Sequence, residues 1–189
     1  MNTSSGELYI QAMAATQRFV DRVRPDQWRN PTPCSEWDLK AVANHIIAEN
    51  LWAGELLAGK TIAEVGSKLD GDLAGEDPAA AYRESVGVAQ DAANAPGAME
   101  ATVHLSFGDF AGADYATQLF MDLLVHGWDI AKGSGQDARL DPDLVSACLP
   151  IAEKLTREWR SAGVFGDELP VSEDADAQTK LLALFGRNA

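Results

Sequence analysis

Two cysteines, Cys34 and Cys148, stand in a chain of 189 residues, far apart and in no metal or redox motif. Basic residues are scarce as well: 15 Lys and Arg against 29 Asp and Glu leave a formal net charge of −14. Without clustered Lys and Arg to displace counterions, nucleic acid is excluded as the expected partner. An anionic membrane surface is disfavoured for the same reason. No apolar run approaches the roughly 20 residues that a membrane span needs. The opening residues Met1 to Glu7 are polar and lack the basic-then-apolar layout of a signal peptide. A soluble, cytoplasmic protein is the expectation.

What is present is apolar surface at helical spacing. At 46% hydrophobic and 23% charged residues the chain can bury a sizeable core, which argues against disorder. The length predicts a single domain over 1–189, with 165–189 as a tail and short helix. Leu8, Ala12, Ala15, Phe19 and Val23 recur as one helical face, so a first helix is predicted from about Gly6 to Val23. Ser4 and Glu7 form its capping box, and Pro25 ends it. Ser35-Glu36-Trp37-Asp38 reads as a second box, opening a helix from about Glu36 to Ala58. The polar residues from Thr61 to Asp77 read as a surface excursion. Pro78 suits the first turn of a third helix, which Asn94 to Gly97 close. The stretch from Ala101 to Gly108 alternates as a short strand or hairpin. A fourth helix is predicted from about Ala113 to Lys132, a fifth from Pro142 to about Ser161, and a last short one from Ala177 to Leu184. The fold class is mainly α: an antiparallel helical bundle with additional short helices and a small β hairpin.

There are three histidines, and two of them lie on helices whose facing follows from about 100° of turn per residue. With Val42 at zero, His45, Ile46, Glu49, Ala53 and Leu56 fall between about −60° and +40°. With Leu119 at zero, Tyr115, Asp122, Leu123, His126 and Ile130 occupy an arc about 100° wide. Two helices therefore each turn an ionisable i,i+4 pair toward the core. Buried carboxylates and imidazoles are costly unless paired or bound to a metal, and bundle metal sites are built from facing helices in this way. His45, Asp122 and His126 would suit Zn²⁺, Ni²⁺, Fe²⁺ or Mn²⁺ with positions left for water or substrate. The competing reading is a neutral histidine hydrogen-bonded to Asp122 or to a backbone carbonyl in an ordinary core.

Around this set stand candidates for catalysis. Glu49 would act as a general base or as a fourth ligand. His104, on the strand, would act as a base or sit at the surface, where its position places it better. An inward Arg83 would hold a substrate carboxylate; a surface pair with Glu84 or Asp77 is the plainer reading. Arg157, Arg160 and Arg187 carry the same two readings. Cys34 has no basic neighbour in sequence to lower its pKa and reads as structural. Trp52 and Trp128 read as core aromatics.

Three stretches together carry a family resemblance: Pro31-Thr32-Pro33-Cys34-Ser35-Glu36-Trp37-Asp38 with Asn44-His45, Val125-His126-Gly127-Trp128-Asp129-Ile130-Ala131, and Leu181-Leu182-Ala183-Leu184-Phe185-Gly186-Arg187. The chain resembles, over nearly its whole length, the actinobacterial proteins related to the N-terminal domain of mycothiol-dependent maleylpyruvate isomerase. These belong to the DinB-like superfamily of metal-binding four-helix bundles. The resemblance implies a divalent metal, usually zinc, held by a histidine of the second helix and a carboxylate-x-x-x-His pair of a later one. His45 and His126 match the two histidines, and Asp122 stands where the isomerase has Glu, an arm one methylene shorter. The resemblance also implies a low-molecular-weight thiol, mycothiol, adding as thiolate to an activated double bond or another electrophile. The isomerase has a further C-terminal α/β domain, whereas fewer than thirty residues follow the fifth helix here.

Three functions follow as expectations. The first is a metal-dependent, mycothiol-dependent transferase or isomerase acting on a small electrophile. The second is a non-catalytic, metal-stabilised binding or homodimerisation module, which would expose an apolar patch. The third is a metal-activated hydrolase.

Overall fold

Ser4 starts the first helix as its spacing predicts. Its backbone N–H donates to the Glu7 carboxylate at 2.8 Å, and its hydroxyl accepts from the Glu7 N–H at 3.3 Å. The computed structural model describes residues 3–161 and 168–189, leaving aside the side chains of 158–161. Helix α1 spans Ser5–Val20, shorter than its apolar face predicts. The N–H groups of Arg22 and Val23 bond three residues back, to Phe19 and Val20, so the last turn tightens and the helix stops before Val23.

Helix α2 is Leu39–Leu56, and the predicted box at Ser35 is corrected: the cap is Asp38, whose carboxylate accepts from the Ala41 N–H at 2.8 Å. Backbone bonds across the loop keep residues 30–38 out of the helix up to that point. Leu39 N–H donates to Asn30 O, Lys40 N–H to Trp28 O, and Pro31 pairs antiparallel with Asp38. The Thr32 hydroxyl donates to Trp37 O at 2.8 Å and accepts from Cys34 N–H at 3.1 Å, closing the loop on itself. The excursion 61–77 is likewise more ordered than predicted. It contains α3, Ile62–Val65, with a capping box between Thr61 and Glu64. Asn44 Oδ1 then accepts from Leu73 and Ala74 N–H and fastens the excursion to α2 beside His45.

Helix α4 is Pro78–Ala93, with Pro78 at its first position as predicted. The hairpin pairs β1, Thr102–Leu105, with β2, Gly108–Ala111, in antiparallel register. Helix α5, Gly112–Gly133, has no side-chain cap, but the Gly112 and Ala113 N–H groups donate to Ala101 and Met99 carbonyls at 2.8 Å. Helices α6, Pro142–Ser161, and α7, Ala177–Leu184, have the predicted bounds.

Helices α1, α2, α4 and α5 close a ring: α1 packs on α5 and α4, and α2 packs on α4 and α5. Helices α6 and α7 pack on each other beside it. Tyr9, Met13, Leu39, Ile46, Phe120 and Trp128 fill the interior. A chain of buried hydrogen bonds joins α1, α2 and α4: Tyr9 Oη donates to Asn50, Asn50 Nδ2 to Ser85, and Ser85 Oγ to Tyr82 O. The fold is mainly helical with one two-stranded sheet, and among the described residues no helix is long and apolar enough to cross a membrane.

One contact sets how closely α1 approaches α5. A Cβ on Gly127 would lie 2.8 Å from Thr16 Oγ1, whose hydroxyl is committed to Leu123 O at 3.0 Å. Gly127→Ala is expected to lower stability by about 1–2 kcal/mol through overpacking, read as a lower thermal midpoint with unchanged helical circular dichroism.

Candidate metal centre

Helices α2 and α5 bring three ligand atoms together. His45 Nε2 lies 3.1 Å from Asp122 Oδ2, and His126 Nε2 lies 3.4 Å from Asp122 Oδ1. The ligand atoms of the three side chains all fall within 4.8 Å of one another. Ligands about 2.1 Å from a tetrahedral or octahedral ion stand about 3.0–3.4 Å apart, and the two His–Asp distances fall in the range that a first-row divalent cation needs. The facing calculated from the sequence is the reason: both pairs lie on the apolar stripes that the two helices turn toward each other.

The side chains behind the ligands fix their orientation. His126 Nδ1 lies 3.0 Å from Asp129 Oδ2, and Asp129 is fully buried. Arg187 clasps the same carboxylate, with Nη2 2.9 Å from Oδ2 and Nε 3.3 Å from Oδ1. A carboxylate held by a guanidinium accepts, so His126 Nδ1 is placed to donate to Asp129 while Nε2 faces Asp122. Trp37, at the end of the tied loop, lies with its ring 4.9 Å from the His45 ring and 5.6 Å from that of His126. The two imidazoles meet edge to face at 4.9 Å.

Charge in the cluster is unevenly distributed. Burial opposes a charge on His45, yet its hydrogen bond and charge pairing with Asp122 more than offset this and raise its pKa. Burial also works against an ionised Asp122, but His126, His45 and Arg187 hold it below the ordinary carboxylate range. Glu49 has less compensation: burial and the charge of Asp122 push it up to about 7, against the pull of His45 and His126.

The cluster opens into a cavity of about 400 Å³ whose walls include Glu49, Phe107, Tyr115 and Arg187. A larger groove of about 880 Å³ runs between α1, α6 and α7, but its walls carry Arg18, Arg22 and Arg139 and no histidine. Ligand chemistry therefore selects the smaller cavity.

The remaining candidates are not gathered here. Arg83 pairs with Asp21, at the C-terminal end of α1, at 2.6 Å on the outside; this is the surface pairing expected, with a partner other than Glu84 or Asp77, and it corrects the inward reading. His104 stands on the hairpin, 44% exposed, with Nδ1 2.8 Å from Asp109. Cys34 is half-buried next to Arg187, and burial raises its pKa against the pull of that cation, which suits a structural thiol. Trp128 is a core aromatic, whereas Trp52 lies half-buried beside a second small cavity with Phe107. Arg157 is exposed, and the side chain of Arg160 lies outside the described residues. Sequence reasoning left Trp37 and Asp129 without assigned roles, and read Arg187 as a substrate clamp or a surface pair rather than the partner of buried Asp129. Asp129 had a signal, since it lies about 60° around the helix from His126; the other two depend on distant packing.

Residues 10–131 match the family model described as Mycothiol maleylpyruvate isomerase N-terminal domain. The chain is 34% identical over 179 residues to Uncharacterized protein MT0763 and to Uncharacterized protein Rv0738, from two strains of Mycobacterium tuberculosis, with 94% of this chain and 94% of each relative covered. Its fold is similar to the crystal structure of the mycothiol-dependent maleylpyruvate isomerase, with TM-score 0.64 at 14% identity over 87% of this chain and 72% of that one. A mutant form of that enzyme gives TM-score 0.64 at 13% identity. At these identities the structural likeness is one of fold.

Proposed function

We propose, on the premise that this chain belongs to the mycothiol maleylpyruvate isomerase N-terminal domain family, that it is a divalent-metal protein carrying out thiol-dependent transfer or isomerisation on a small electrophile. The observation that supports this is the convergence of His45, Asp122 and His126 at ion-binding spacing on the wall of a cavity. Three protein ligands leave coordination positions for a small molecule, as catalytic rather than structural sites do. Zinc suits the two imidazoles and one carboxylate, and the family description supports mycothiol as the thiol. A bound ion would supply a thiolate at neutral pH by lowering the pKa of a coordinated thiol.

The chain's own residues have separate tasks. Trp37 covers the imidazole faces, and Phe107 and Tyr115 line the cavity with apolar surface that limits water. Glu49, poised near 7 in the same cavity, can give or take a proton at neutral pH. Arg83 and His104 have no part in this reading.

Glu49 also favours a second reading, a metal-activated hydrolase in which its carboxylate takes a proton from water. Two measurements separate them. Metal analysis of tag-free protein from metal-replete medium is expected to give close to one equivalent; none would end both readings. Titrating the cobalt-substituted protein with mycothiol is expected to raise a sulfur-to-metal charge-transfer absorption. Absence of that band with cobalt bound would overturn the thiol reading in favour of hydrolysis.

A further inference from the structure

The C-terminal end of the chain reaches the cavity of the proposed metal centre. After α7, Phe185 and Arg187 both enter the wall of the cavity. Arg187 is fastened at two points: Nη1 donates to the Phe185 carbonyl at 2.8 Å, and the Nε/Nη2 edge forks onto Asp129. Asp129 is 0% exposed and lies 58 residues away in sequence, so a side chain from the far end of the chain neutralises a buried carboxylate of α5. Asp129 Oδ2 has two partners, the Arg187 guanidinium and His126 Nδ1, and both pull on one oxygen.

We infer that Arg187 is a positioning residue: acting through Asp129, it sets the tautomer and ring orientation of His126, so that the C-terminal segment controls how well the centre holds its metal. The physical basis is geometric. A planar guanidinium bound through two N–H groups fixes the carboxylate plane as an ammonium does not. The fixed carboxylate accepts from Nδ1 and leaves Nε2 free, aimed at the ligand cluster. Without the fork, the Asp129 carboxylate would be free to rotate in its buried site. His126 then loses its fixed acceptor, and the Nε2–H tautomer, which cannot ligate, becomes populated.

The affinity arm of the test rests on the metal reading above; the tautomer arm does not. In the metal-free protein, long-range proton–nitrogen NMR is expected to show His126 as the Nδ1–H tautomer, and Arg187→Gln is expected to give a mixture. An unchanged tautomer in Arg187→Gln, with native circular dichroism, overturns the inference even if no metal binds. For affinity, competition with a chromophoric chelator for zinc is expected to show a loss of about 10-fold or more for Arg187→Gln and for Asp129→Asn. The double variant is expected to lose no more than Asp129→Asn alone, within about twofold, because one residue acts through the other. Additive losses overturn the inference, since they would mean that Arg187 acts on the metal by another route. Arg187→Lys, which keeps the charge without the fork, covers the case in which Arg187→Gln does not fold. It is expected to preserve folding yet lose several-fold in zinc affinity, and wild-type affinity in Arg187→Lys would also overturn the inference.

Discussion

His126→Ala is expected to weaken zinc binding by at least about 100-fold, because losing a ligand must cost more than losing a group that only orients one, which is worth 10–100-fold. Asp122 and His126 lie one turn apart on α5, and His45 closes the set from α2. Removing His126 leaves two donors and also takes from Asp129 one of its two partners. The control is His104→Ala. That imidazole pairs with Asp109 on the exposed hairpin, and its loss is expected to change zinc affinity less than twofold. Chelator competition on both variants, with circular dichroism to confirm folding, checks the pair. Equal losses in the two would mean that zinc is bound elsewhere.

The second large effect is on stability. In metal-free protein the Glu49 carboxyl is raised from an ordinary 4.5 to about 7, first by burial and then by the charge of Asp122. The folded state thus binds this proton more tightly than the unfolded state does. As pH rises from about 4.5 to about 7, the unfolded chain ionises Glu49 more readily, so this residue's contribution to stability falls. Above about 7 the penalty is complete and level. Glu49→Gln removes the charge at nearly constant shape. It is therefore expected to stabilise the metal-free protein by about 2–3 kcal/mol at pH 8 and by little at pH 4.5, measured by denaturant unfolding at both pH values. The same gain at both would show that Glu49 titrates normally. In zinc-loaded protein the gain at pH 8 is expected to shrink, because a nearby cation favours the carboxylate.

What could be read from the sequence was what local physics decides. The Ser4–Glu7 box, Pro78 at the head of α4 and the bounds of α7 depend on neighbours in sequence, and the structure has them as expected. The inward facing of His45, Asp122 and His126 needed only helical periodicity and the cost of burying ionisable groups. The box at Ser35 failed because the Leu39 and Lys40 N–H groups donate to the Asn30 and Trp28 carbonyls and delay the helix until Asp38 caps it, which no local pattern reports. The surface pairing of Arg83 was foreseen but its partner was not: Asp21 follows the end of α1 and is brought there by how α1 and α4 pack. Trp37 over the imidazoles and Arg187 on Asp129 bring together residues from opposite ends of the fold. Their motifs stood in the sequence, but nothing local said that they meet.

Phe107 has the same lesson on the outside. It sits 66% exposed at the tip of the hairpin, 5.3 Å from the Phe110 ring, and reaches the cavity mouth from an element that sequence pattern marked only as a short strand or hairpin.

The central claim is that α2 and α5 together hold one ion. Anomalous diffraction from crystals of the zinc-replete protein tests it most directly. The account expects a single strong peak within about 2.0–2.2 Å of His45 Nε2, His126 Nε2 and an Asp122 carboxylate oxygen, with His126 Nδ1 still bonded to Asp129. A zinc-replete crystal with no peak there, or with the peak on other side chains while His45 and Asp122 remain hydrogen-bonded to each other, would contradict it.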